Sequence, residues 1–141
     1  MLTIGKAAAQ ANVTPDTLRY YEREGLIAPA TKTEAGYRLY DHEQVERLQF
    51  IKQAQECGFT LGEIRKLLEV RGSPSACCGD VYRLAIEKKL QLEAKIKIMR
   101  GMSRSLDGWI NHCANDAQPT DRCPILAGLS ATTRDGRRQL P

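Results

Sequence analysis

The chain has no run of about 18 consecutive apolar residues, so it offers no membrane-spanning helix. Its opening, MLTIGKAAAQANV, lacks a long apolar stretch behind a basic start, so a secretory leader is not expected and a cytoplasmic location is. There is no internal repeat, no phosphate-cradling glycine loop and no zinc-hydrolase motif, and 141 residues leave little room for an enzyme. Cys113 beside His112 is the one hint of nucleophilic chemistry. It fails on geometry, because adjacent residues on a helix diverge and no third group orients them. Neither sign of charge is in large excess: 21 Lys and Arg against 17 Asp and Glu give +4, compatible with a polyanionic partner without demanding one. Five cysteines are poor material for a disulfide framework in a reducing compartment, which turns attention to metal or redox chemistry.

What is present is helical periodicity. Ile4, Ala7, Ala8 and Ala11 follow Thr3 at spacings of three and four, predicting a short amphipathic helix with Thr3 as N-cap. Asn12-Val13-Thr14-Pro15 reads as a turn and a restart: Thr14 caps, Pro15 occupies the first helical position, and Val13, Leu18 and Tyr21 face inward from Pro15–Arg23. Two short helices joined this way make a helix-turn-helix. Gly25 ends the second, and Leu26 to Asp41, with Pro29, Gly36 and Tyr37-Arg38-Leu39-Tyr40, predicts a loop leading into a short β-hairpin, or wing. Val45, Leu48, Phe50, Ile51 and Ala54 mark a third helix that stops at Cys57-Gly58, and the capping box Thr60-x-x-Glu63 opens a fourth.

These elements form a unit over residues 1–72. Residues 73–113 supply a lead-in loop and a long helix from about Gly79 to Cys113, whose seam (Val81, Leu84, Leu92, Ile96, Met99, Met102, Leu106, Trp109, Cys113) is interrupted by Lys88. At 1.5 Å per residue such a helix extends ~50 Å, too far to lie on a domain of this size, so its economical partner is the same helix of a second subunit. Residues 114–130 give a polar loop and a short helix near Pro124–Leu129, while 131–141, with several arginines and few apolar groups, are expected to be disordered. The fold class is mainly α.

Two constellations carry function. On Pro15–Arg23, Thr14, Asp16, Thr17, Arg19, Tyr20 and Arg23 can reach bases and phosphates, although Tyr20 and Tyr21 read equally well as core residues. Tyr37, Arg38 and Tyr40 on the wing suit phosphate gripping, and Lys6 can add a contact. The second constellation is Cys78 before the long helix, with Cys113 and Cys123 bracketing the loop after it. If two long helices pair antiparallel, Cys78 of one subunit approaches Cys113 and Cys123 of the other, giving two sites per dimer. Three thiolates favour Zn(II), Cd(II), Pb(II) or Hg(II) over oxygen-seeking ions. Cys77 and His112 are second-rank ligands, since helical neighbours point ~100° apart. Cys57, next to Gly58, reads as a buried small hydrophobe.

Leu18-Arg19-Tyr20-Tyr21-Glu22, Gly36-Tyr37-Arg38-Leu39-Tyr40, Gly58-Phe59-Thr60-Leu61-Gly62-Glu63-Ile64 and Cys113…Cys123-Pro124-Ile125-Leu126 occur in an order and spacing that closely resemble the MerR family of transcription regulators, over about residues 2–130. The resemblance implies a winged helix-turn-helix, a helical pair, a long antiparallel dimerisation helix and a C-terminal metal-binding loop with a short helix. It implies DNA contacts from Arg19 and Tyr20, with Tyr37, Arg38 and Tyr40 clamping backbone. It further implies a homodimer that binds promoter DNA with an overlong spacer and distorts it so that RNA polymerase can engage. Copper(I) sensors of the family lack the cysteine that Cys78 supplies, so Cys78 points to a divalent ion. Cys78-Gly79-Asp80-Val81 resembles the cadmium and lead branch, which ranks Cd(II), Pb(II) and Zn(II) above Hg(II). Redox sensors of the family carry a tighter four-cysteine cluster, which is absent here, and the short tail leaves no room for a drug-binding domain.

Overall fold

Thr3 opens the first helix as the spacing predicts. Its side chain accepts the Lys6 N–H, and α1 runs Ile4–Gln10. Thr14 does the same for α2, Pro15–Arg23, accepting from Thr17 N with Pro15 in the first turn. After a loop, the hairpin strands β2 (Thr31–Lys32) and β3 (Arg38–Tyr40) pair antiparallel with Lys32 opposite Arg38. A two-residue strand β1 (Leu2–Thr3) lies on the other side of β3, Leu2 opposite Tyr40, so the sheet order is β1-β3-β2. β1 is not predicted from the sequence, because two residues are too few to show alternation. Two capping boxes then open α3 (His42–Glu56, from Asp41 and Gln44) and α4 (Leu61–Gly72, from Thr60 and Glu63). The long helix α5 runs Cys78–Asn111, and α6, Pro124–Asp135, follows a 3-10 turn at Thr120–Arg122. The computed structural model describes residues 1–113 and 117–135.

Three of these helices stop by the same device. At the ends of α1, α2 and α3, Asn12, Gly25 and Gly58 take φ values of 59°, 75° and 93°. The next residue's N–H then bonds back five residues: Val13 to Ala8, Leu26 to Tyr21, Phe59 to Ala54. This six-to-one closure satisfies a terminal carbonyl and turns an apolar residue onto the helix end. Glycine meets the left-handed requirement at two of the ends, and asparagine, which tolerates it better than most, at the third.

The closures matter because Val13, Leu26 and Phe59 all join or pack against one cluster. It is built from Ala7 and Ala8 of α1 with Ala11 just past its end, Leu18 and Tyr21 of α2, Tyr40 of β3, and the apolar faces of α3 and α4, with Leu84 packed against it. Alanines on α1 permit close approach of α2, and the Tyr21 hydroxyl donates to Gln55 Oε1 on α3. The chain divides into two compact units, Met1–Leu84 and Ala85–Pro141.

Three expectations need correction. Cys57 is exposed, not buried, because the chain reverses at Gly58 and Phe59 takes the inward position at the end of α3. The short helix α6 does not stop at Leu129, and residues 131–135, expected to be disordered, continue it. Neither glycine nor proline intervenes between Gly128 and Gly136 to end that helix. The rest of the expected tail, 136–141, and Ala114–Asp116 of the polar loop lie outside the described residues.

Candidate DNA interface and thiol sites

The helix-turn-helix and the wing put a ring of cations around one shallow groove. Arg19 and Arg23 from α2, Lys32 from β2 and Arg38 from β3 line it together with Glu22 and Pro29. A second groove beside it is lined by Ile4, Arg19, Gly36, Tyr37 and Arg38. Arg19 and Arg38 are therefore shared walls. Such a surface suits a phosphate backbone, since guanidinium groups match phosphate oxygens and neighbouring cations raise the local potential.

The predicted residues take distinct places in it. Tyr37 stands 72% exposed at the tip of the wing, its N–H tied to Thr33 Oγ1 across the turn that Gly36 makes. Tyr20 is exposed, with the Arg23 guanidinium 5.9 Å from its ring centre, so of the two adjacent tyrosines only Tyr21 is core. Arg19 is exposed and pairs with Asp16 at 2.8 Å. Thr14 and Thr17 face each other, their hydroxyls 2.9 Å apart, so part of their hydrogen-bonding capacity is spent on the cap. Lys6 is exposed on α1.

Tyr40 corrects the expectation of a third wing contact. It is 0% exposed, and its hydroxyl donates to Glu22 Oε2 at 2.7 Å. Burial, and then the Glu22 carboxylate, push its phenol well above the ordinary tyrosine range. Arg38 and Tyr40 share one face of β3, so the difference comes from position along the strand: Tyr40 lies where that face enters the core, while Arg38 stands nearer the exposed turn. Glu22 also holds Arg38, with Oε1 2.9 Å from NH1.

Three residues escaped sequence reasoning. Lys32 belongs to the groove through its pairing with Arg38, a register that only the turn length sets. Arg47 of α3 and Arg65 of α4 donate to the carbonyls of Leu26 and Glu24 at the end of α2. They fasten the end of α2 to α3 and α4, and no local motif announces bonds that span 21 and 41 residues.

Cys77 and Cys78 stand at the start of α5, Cys113 two residues past its end and Cys123 immediately before α6. In the first unit, Cys77 is exposed with its N–H donating to Asp80 Oδ2 at 3.1 Å and its Sγ 3.7 Å from the same oxygen, so Asp80 caps the start of the helix. That backbone hydrogen bond holds the Asp80 carboxyl below the usual range. Cys78, the first residue of α5, is exposed. In the second unit Cys113 is exposed and Cys123 half-buried, and all five thiols are free of disulfides. His112 Nδ1 lies 2.6 Å from the Gly108 carbonyl, so one ring nitrogen is engaged in closing the helix. Among the described residues of this chain, no three His, Cys, Asp or Glu side chains gather closely enough to hold an ion.

Between these ends α5 leaves its apolar seam open. Leu92, Ile96, Met99, Met102 and Leu106 are all exposed, and Lys88, expected to break the seam, is the one residue of α5 that is buried, with Nζ 2.8 Å from Gln91 Oε1. At the far end Gly128 of α6 lies against the Trp109 indole so closely that a Cβ there would overlap the ring.

The family model described as MerR HTH family regulatory protein matches residues 2–70, and one described as MerR, DNA binding, matches residues 45–109. The chain is 38% identical over 130 residues to the HTH-type transcriptional regulator ZntR of Escherichia coli, which covers 92% of each protein. It is 41% identical over 126 residues to the mercuric resistance operon regulatory protein of Bacillus cereus, covering 89% of this chain and 95% of that one. Among solved structures, the transcription regulator PbrR691 of Ralstonia metallidurans in complex with lead(II) superposes with a TM-score of 0.76 at 36% identity, over 92% of this chain and 99% of that one. With its helix-turn-helix, its wing and these relatives along nearly its whole length, the chain belongs to the MerR family of helix-turn-helix regulatory proteins.

Proposed function

We propose that this chain is a metal-responsive transcription regulator: a homodimer that binds double-stranded promoter DNA and, when a soft divalent ion is bound, distorts it so that RNA polymerase can initiate at a metal-resistance or efflux gene. The observation that carries the reading is that cysteines stand at the start of, and beyond the end of, a helix whose apolar seam is open. Pairing two such seams antiparallel would bring Cys78 of one subunit toward Cys113 and Cys123 of the other. The donor set fits the ion class, since three thiolates suit Cd(II), Pb(II) or Zn(II), with Hg(II) as the alternative. Relatives named for mercuric resistance and bound to lead(II) support the same class. Cys78, Cys113 and Cys123 would hold the ion, which would supply thiolate bonding that favours one dimer geometry and so biases the DNA. Arg19, Tyr20, Tyr37 and Arg38 hold the duplex, with Lys6, Thr14, Thr17 and Arg23 adding contacts, while Arg47 and Arg65 carry the posture of α3 and α4 to α2.

The test is a titration of the reduced, metal-free protein with Cd(II), Pb(II), Zn(II) and Hg(II), following thiolate-to-metal absorption in wild type and Cys78→Ser. Tight binding with a lower thiolate count in the variant supports the intersubunit site and ranks the metals. Absence of any thiolate absorption removes the metal from the mechanism, and activation by peroxide without metal would replace it with thiol oxidation.

A further inference from the structure

We propose that Glu22 is the positioning residue for DNA recognition, the group that fixes the wing against α2 before DNA arrives. This rests on the reading of α2 and the wing as the DNA-contacting surface. Glu22 is the penultimate residue of α2, its side chain only 12% exposed, and each carboxylate oxygen has its own partner. Oε1 takes Arg38 NH1 at 2.9 Å and Oε2 takes the Tyr40 hydroxyl at 2.7 Å. The two partners flank Leu39, so one carboxylate grips both ends of β3. Tyr40 is fully buried and paired with Leu2, and Arg38 is paired with Lys32, so the grip extends to the whole three-stranded sheet.

Electrostatics alone would keep an acid out of this place. Glu22 is the single carboxylate lining a groove of four cations, Arg19, Arg23, Lys32 and Arg38, on the surface assigned to a polyanion. Removing it should therefore strengthen attraction to any nucleic acid. Geometry gives the opposite expectation for a specific duplex. Arg38 is a long side chain, 43% exposed, whose fork offers five donors; held through NH1, it meets a phosphate with its remaining donors already aimed and with less freedom to lose. A positioning carboxylate and an incidental one thus differ in the sign of their effect.

The experiment uses the full-length protein and two duplexes, one selected by wild type from a random-sequence pool and one scrambled. Affinity for each is measured by fluorescence anisotropy across a salt series. Glu22→Gln keeps the side-chain volume and an oxygen for Tyr40 but loses the charge. Its binding to the selected duplex is expected to weaken about fivefold, while the scrambled duplex binds equally or more tightly, so the specificity ratio falls. Tyr40→Phe adds no charge and keeps the core; it should lower the ratio in the same direction by less. Selected-duplex affinity unchanged or improved in Glu22→Gln would overturn the proposal. Should Glu22→Gln not fold, an unchanged ratio in Tyr40→Phe overturns it instead. If wild type enriches no sequence from the pool, the reading of the DNA surface itself fails, and this inference falls with it.

Discussion

Cys57 and Cys78 are both exposed thiols, yet the proposed mechanism uses only one of them, which makes the pair a controlled comparison. Cys78→Ser, Cys113→Ser and Cys123→Ser should each abolish metal-triggered transcription while leaving operator affinity intact; Cys57→Ser should change neither. Full induction in all three site variants would remove the proposed ligand set. Tyr40 supports a second expectation. Burial first, and the Glu22 hydrogen bond second, favour its neutral phenol, so its folded pKa lies above the unfolded one. Its contribution to stability is complete below about pH 10, where the unfolded phenol begins to ionise, and is lost as pH rises beyond that. Tyr40→Phe should therefore flatten the alkaline limb of a melting-temperature profile, and identical limbs in the two proteins would contradict the account. At this scale the sequence is informative about chemistry and poor about direction. Tyr37, Arg38 and Tyr40 look alike as hydrogen-bonding groups on a wing, but Tyr40 faces the core, and only the register with Leu2 and the presence of Glu22 one helix away decide that.

The helices were legible because their signals are local. Thr3, Thr14 and the Thr60 to Glu63 capping box act within four residues, so the starts of α1, α2 and α4 follow from sequence. β1 was not legible, since it exists only by pairing with β3, nearly forty residues away. The extension of α6 beyond Leu129 was missed for a different reason: polar composition suggested disorder, whereas no breaker interrupts the chain between Leu129 and Gly136. Gly128 offers a test of how α6 is held. Replacing an exposed helical glycine by alanine ordinarily gains about 1 kcal/mol, and Gly62→Ala in α4, where only Thr60 Oγ1 lies as near as 4.0 Å, should approach that gain. Gly128→Ala should do the reverse, because the new Cβ would overlap the Trp109 ring; a loss of ~1–3 kcal/mol is expected for such overpacking. Trp109 is the only tryptophan, so its emission reports the displacement directly. Unchanged emission and a higher melting temperature in Gly128→Ala would show that α6 is not seated there.

For the molecule as a whole, the open seam on α5 is the feature most in need of a partner. Met99→Glu with Leu106→Glu should convert a dimer into monomers in sedimentation equilibrium while the far-ultraviolet signal of the first unit persists; a monomeric wild type would dismiss the paired-helix arrangement outright. The long periodicity announced that helix, while its chemistry with a second copy is beyond what one chain's pattern can state, because antiparallel and parallel pairings share the same stripe. Leu84 has a consequence of another kind. It packs against the core that α1 to α4 enclose, and the first unit closes there, two turns into α5. A crossover between related genes falling just after that codon would pass on the first unit whole, Cys78 included, joined in unbroken helical phase to a foreign second unit with its own cysteines at the far end. Were both ends to form one site as proposed, such a chimera would keep its DNA-facing surface and inherit its thiols from two parents, so a new ion preference would require the two inheritances to match.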